Sequence, residues 1–177
     1  MNVLKQAKAQ AQKKQNGFTI IEVVLVLAIA GLIFLMVFIA LPALQRNQRD
    51  TQRKNDMGRL QTSIVNYTNS NRGTLPTGTA AGYNTFVDQY LVAGGDSFVD
   101  PAGATTAQGQ VSGSEKYVMA LKDSSELTTD FKTSQNTIYF TPGYVCDTSS
   151  AAVKAGGSRK VAFRMVLESG GYYCNNN

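Results

Sequence analysis

The 177-residue sequence contains no histidine and no tryptophan, and only two of its residues, Cys146 and Cys174, are cysteine. Without histidine, Ser/His/Asp and Cys/His catalytic sets and His-ligated metal centres are excluded. Neither a GxxxxGK[ST] phosphate loop nor a GxGxxG follows any strand-like run. The chain therefore reads as a non-enzyme, and its residues imply no cofactor. Asp96, Asp100, Asp123, Glu126 and Asp130 offer oxygen ligands for calcium, but acids scattered over loops are usually only solvated.

Charge is scarce in one stretch. From Gln15 to Gln45 the sole charged side chain is Glu22, and Val23 through Gln45 carries none. That run meets the ~20 residues a helix needs to cross a hydrocarbon core. It exceeds a secretory h-region, and Ala40-Leu41-Pro42-Ala43 is a poor cleavage site. An uncleaved membrane anchor is the stronger reading.

What is present divides the chain into three zones: 1–17, 18–70 and 71–177. Net charge is +5, but Lys5, Lys8, Lys13 and Lys14 all precede Gly17, and the remaining residues carry 13 basic against 12 acidic side chains. The basic character thus belongs to the first zone, which argues against a nucleic-acid-binding body. Lysines before the run compete with Arg46, Arg49, Arg53 and Lys54 after it for the cytoplasmic side. The two cysteines fit one disulfide in an oxidising compartment, with buried free thiols as the alternative. An exported C-terminal part places the lysine-rich start inside.

Residues 18–70 read as one helix of about 80 Å. Beyond the apolar run, Asp50 has Arg46 and Lys54 at i,i+4, and Asp56 has Arg59 at i,i+3, spacings that support an exposed helix. Met57, Leu60, Ile64 and Tyr67 fall on one stripe, the pattern of a helix laid on a partner. Gly31, Pro42 and Gly58 weaken the rod. Gly31 and Pro42 mark either a simple kink or a segment able to loosen when the helix leaves lipid.

A carboxylate inside an apolar helix is costly and must name its partner. Glu22 has no Lys or Arg nearby on its C-terminal side. A cut between Gly17 and Phe18 would create an α-amino group one helical turn from it. That ammonium and the Glu22 carboxylate would neutralise one another, within one chain or between packed neighbours.

A basic leader ending in Gly17, then Phe18-Thr19-Ile20-Ile21-Glu22 and a long apolar run, resembles the class III signal of type IV pilins and pseudopilins. The resemblance is close over residues 1 to about 45. Arg53-Lys54-Asn55-Asp56-Met57 and the later Leu75-Pro76 resemble a pilin helix entering its head. It implies cleavage after Gly17 by a membrane-embedded prepilin peptidase, which also N-methylates Phe18. It further implies that Glu22 meets the Phe18 amine of an adjacent subunit, and that the helix loosens near Gly31 and Pro42. The implied partners are copies of the chain and other pilins, the inner-membrane pilus assembly platform, and membrane lipid before assembly. No specific nucleic-acid site is evident.

The last zone should form an α+β head, with the long helix packed through its second half on a small antiparallel sheet. Strands are expected at 117–121, 137–141 and 161–167, and a short helix at 83–92. In the last strand Val161, Phe163, Met165 and Leu167 share one face, while Arg164 and Glu168 point away. A Cys146–Cys174 bridge would close a loop of roughly 27 residues and add ~3 kcal/mol by the chain-entropy argument. Asn66-Tyr67-Thr68 fits a glycosylation sequon placed on the helix.

Two classes of function remain. The first is a filament subunit, either of a type IV pilus or, as a pseudopilin or minor pilin, of a secretion or DNA-uptake machine. The second is an anchored binding module that never polymerises.

Overall fold

The computed structural model describes residues 17–95, 97–102, 104–105, 111–112, 116–127, 134, 136–147, 149 and 152–177. The fold is α+β. Helix α1 (Ile20–Ser70) is followed by α2 (Ala80–Val87), which runs into a π-helical turn at Asp88–Val92. The strands are β1 (Ala104–Thr105), β2 (Val111–Ser112), β3 (Val118–Leu121), β4 (Thr137–Pro142), β5 (Tyr144–Cys146), β6 (Val153–Ala155), β7 (Val161–Val166) and β8 (Tyr172–Asn176). Contacts divide the chain into two compact units, Met1–Pro42 and Ala43–Asn177, so the second half of α1 belongs with the head.

In the first unit the described side chains are exposed, Ala30 being half-buried. Ile20, Leu25, Phe34 and Phe38 are each more than half exposed, far more apolar surface than a soluble monomer carries. Length and composition alone make α1 able to cross a membrane.

In the second unit α1 buries Asp50, Arg53, Asp56, Met57, Leu60, Ile64 and Thr68, at spacings that keep them on one face. Met57, Leu60 and Ile64 are essentially inaccessible, and each contributes about 1.5–3 kcal/mol by leaving water. Tyr67 is partly buried against them. The helix ends where Gly73 N–H donates to the Thr68 carbonyl at 2.7 Å, with Arg72 at φ 55° and Gly73 at φ 82°. This is the six-to-one bond of a Schellman cap, with arginine where glycine is usual.

Thr79 caps α2 by accepting from Gly82 N–H at 3.1 Å. A Cβ at Gly82 would meet the Thr77 carbonyl oxygen at 2.5 Å, so this first turn requires glycine. From α2, Tyr83 stacks on Phe140 of β4, with ring centroids 4.0 Å apart. Phe86 and Val87 fill the same core.

The main sheet has the order β3-β4-β7-β8. Its antiparallel pairs are β4 with β7 and β7 with β8, but β3 runs parallel to β4, so the sheet is mixed. Connectivity permits this: 15 residues, 122–136, separate β3 from β4 in sequence, and a parallel pair needs a crossover of about a dozen or more. The outer N–H of Met119 is taken by the Asn84 side chain at 3.0 Å, which occupies one outward-facing donor of that sheet edge.

Strand β7 is buried at all six positions. Arg164 does point away from the Phe163 face, yet it is 0% exposed. Its guanidinium donates to the carbonyls of Ser125 and Asp123, each at 2.6 Å, and to Thr141 Oγ1 at 3.0 Å. Residues 122–127 thus cover a face that alternation alone would assign to solvent.

Strand β8 is polar, and carboxamides place it. Gln61 of α1 donates to the Asn176 carbonyl at 2.8 Å and accepts from Asn175 at 2.9 Å, while Asn176 Oδ1 accepts from Cys146 N–H at 3.1 Å. A disulfide joins Cys146 of β5 to Cys174 of β8, with Cα atoms 5.8 Å apart.

Candidate processing and assembly site

The chain enters α1 through Gly17, Phe18 and Thr19. Phe18 is 89% exposed, and Phe18, Glu22, Val23, Val26 and Leu27 line one shallow groove. Thr19-Ile20-Ile21-Glu22 has the spacing of a capping box, and the structure forms one. Thr19 N–H donates to Glu22 Oε2 at 2.8 Å, Thr19 Oγ1 donates to the same oxygen at 2.8 Å, and Glu22 N–H donates to Thr19 Oγ1 at 3.4 Å.

The carboxylate therefore has a local partner before any cut. Glu22 is not a lone acid: Thr19 supplies its donors, and the T-x-x-E spacing is the sequence signal for that pairing. In the uncut chain the Phe18 nitrogen is a peptide nitrogen, so no ammonium exists to compete with Thr19. Residues 1–16, including Lys5, Lys8, Lys13 and Lys14, lie outside the described residues.

Gly31 and Pro42 both lie within α1, which continues through them. Nothing approaches within 4 Å of a Cβ built at Gly31, so packing in this chain does not explain the glycine.

The other sequence candidates resolve individually. Asp100 is buried against Arg53 at 2.7 and 2.8 Å, which commits it to an ion pair. Asp123 is exposed, and hydrogen bonds, chiefly from the Ser125 side chain and then Lys122, lower its carboxyl to about 2. Among the described residues no group of three Cys, Asp or Glu side chains is placed to hold a metal. Asp96 and Asp130 lie outside the described residues. In the sequon, Asn66 is exposed, whereas Thr68 is buried and donates to the Val65 carbonyl at 2.9 Å.

The helical charges depart from the expected pairing. Asp50 bonds neither Arg46 nor Lys54 but Arg53, at 2.8 Å, and is buried. Arg46 faces Glu168 at 4.0 Å, and Lys54 lies over the Tyr173 ring. The Asp56–Arg59 contact forms at 3.0 Å, with Asp56 buried and also accepting from the Tyr117 hydroxyl at 3.1 Å. Of the charges spaced for a solvated helix face, Asp50 and Asp56 enter the head's interior, while Arg46 and Lys54 remain exposed.

Residues 12–38 match the family described as the prokaryotic N-terminal methylation motif. No curated protein and no solved structure matches the chain. The matched span contains Gly17, Phe18, Thr19 and Glu22 and continues into the exposed apolar half of α1. The N-terminal segment of the chain is thus similar to a prokaryotic N-terminal methylation motif.

Proposed function

We propose that the chain is the precursor of a type IV pilus subunit, cleaved between Gly17 and Phe18, N-methylated on Phe18, and polymerised through α1 into an extracellular filament. In this reading 1–17 is the leader, 18–70 the assembly helix and 71–177 the head. One observation carries it: the methylation motif opens directly into a helix whose described side chains before Arg49 belong to no core. Such a surface requires lipid first and packed helices afterwards. The disulfide favours an oxidising compartment for the head, hence a leader facing the cytoplasm.

Cleavage changes the chemistry at Glu22. While the leader is attached, Thr19 supplies its donors. After the cut, a cation appears at Phe18, and an arriving subunit can present that cation to the Glu22 of its neighbour. A charge pair in an apolar bundle is weak evidence of net stability, but it selects one axial register. Gly31 and Pro42 are the positions where α1 loosens to pack. The peptidase, an assembly platform in the membrane and other copies of the chain are the partners this reading requires.

The test is N-terminal analysis of protein sheared from cells, where the recovered chain should begin at N-methylated Phe18. Recovery of chains beginning at Met1, or none outside the membrane, rejects the proposal. A processed protein confined to the envelope instead selects the pseudopilin reading. Glu22→Ala should be processed normally while filament yield falls about tenfold or more, the equivalent of losing ~1.4 kcal/mol per addition step. Wild-type yield would remove the register role.

A further inference from the structure

Within the second unit, residues 43–48 of α1 are exposed, and the first contacts to the head are ionic. Arg49 donates to both oxygens of Glu168, through Nε at 2.7 Å and through Nη2. Asp50 accepts the backbone N–H groups of Glu168 at 2.9 Å and Ser169 at 2.8 Å. Arg53, 0% exposed, holds Asp100 through two nitrogens, Asp50 at 2.8 Å and Glu168 at 3.3 Å. Asp100 in turn accepts Ala102 N–H at 2.8 Å. One turn of helix is thereby tied to the β7–β8 turn and to the loop around Asp100. Apolar core contacts begin only at Met57.

We propose that this cluster is a boundary lock, which fixes the residue beyond which loosening of α1 cannot propagate into the head. Three physical points carry the proposal. Before Arg49 no helix side chain is buried, and from 43–48 the exposed Arg46 faces Glu168 at 4.0 Å, so little beyond backbone bonds resists unwinding there. At Asp50 the donors are backbone N–H groups of another segment, and at Arg53 the bond geometry is two-pronged, so the helix cannot slide or rotate without breaking several bonds together. Apolar contacts would tolerate such slippage, whereas buried charge pairs are satisfied in one register. Stretching or melting near Gly31 or Pro42 would therefore stop at Arg49 and leave the core from Met57 onward intact. The proposal goes beyond the filament reading and requires no assembly.

Hydrogen exchange on the full chain in detergent micelles tests it. In wild type, exchange should slow at 49–53 relative to the exposed residues 43–48 just before them. In Glu168→Gln, amides of 49–56 should exchange at least tenfold faster, while those of 60–68 and of Val161–Val166 keep their wild-type rates. Arg49→Gln, whose side chain is partly exposed, should give the same local pattern more weakly, and it carries the test if Glu168→Gln does not fold. Unchanged rates at 49–56 with the head folded overturn the lock. An equal acceleration across the whole head overturns it as well, because the cluster would then contribute only global stability.

Discussion

Along residues 17–48 apolar side chains face outward and the one acid, Glu22, is held by its own helix start, whereas from Asp50 to Asp56 the first buried side chains are charged. Both stretches belong to one continuous helix, so local helix formation does not decide which groups are hidden. Partners do. Asp50 and Arg53 are buried because Glu168, Ser169 and Asp100 supply matching donors and acceptors. Leu25 and Phe34 stay exposed because within their unit no side chain covers them. The first stretch awaits its environment, and the second carries its own.

Arg53→Met should break this comparison most severely. It leaves Asp100 and Asp50 buried without their guanidinium, and the head should lose about 3–5 kcal/mol in urea unfolding. Glu22→Ala, at an exposed helix start, should leave head stability within ~0.5 kcal/mol of wild type. Similar losses from both variants would mean that the two stretches are not energetically distinct.

A smaller effect should appear with pH, because acid removes charge without removing the side chains. For Asp50, burial raises the carboxyl, but the Ser169 and Glu168 donors together with Arg53 outweigh it and hold it below the ordinary value. Glu168 is lowered chiefly by its hydrogen bond from Arg49. Both therefore stabilise the head fully above the ordinary carboxylate range, and that stability is lost as pH falls through their depressed values. Asp56 acts oppositely: burial, only partly offset by Tyr117 and Arg59, raises it, so protonation relieves a cost and that benefit disappears as pH rises through its raised value. Melting temperature should hold nearly level on acidification until the ordinary carboxylate range and then drop. Asp50→Asn should flatten the drop; an unaltered acid limb would show that Asp50 does not govern it.

What was legible in the sequence follows the same division between local and distant causes. The apolar half of α1, its Met57–Ile64 stripe and the three longer apolar strands are set by periodicity, and their positions agree with the structure. The T-x-x-E box at Thr19 and Glu22 is equally local and was readable. Burial of Asp50 and Arg53 was not, because their partners lie 47 to 119 residues away in the chain. The parallel β3–β4 pair depends on a crossover rather than on a turn signal, and β8 depends on carboxamide bonds instead of apolar alternation.

Tyr83 offers the finest test, because the buried Asp50 and Arg53 are met by donors and acceptors from other segments. Its ring is fully buried between Phe140 and Phe163, but its hydroxyl finds no hydrogen-bond partner among the described residues. Burial drives the phenol pKa well up, as expected for a group far from water. An unsatisfied buried hydroxyl costs about 1–3 kcal/mol, and phenylalanine has the same ring without it. Tyr83→Phe should therefore stabilise the head by about 1 kcal/mol in urea unfolding, with an unchanged denaturant slope, because the small void left by the oxygen offsets part of the gain. A loss of stability instead would place a partner at the hydroxyl and extend the rule drawn from Asp50 and Arg53 to the aromatic core: polar atoms enter this head only where another segment meets them.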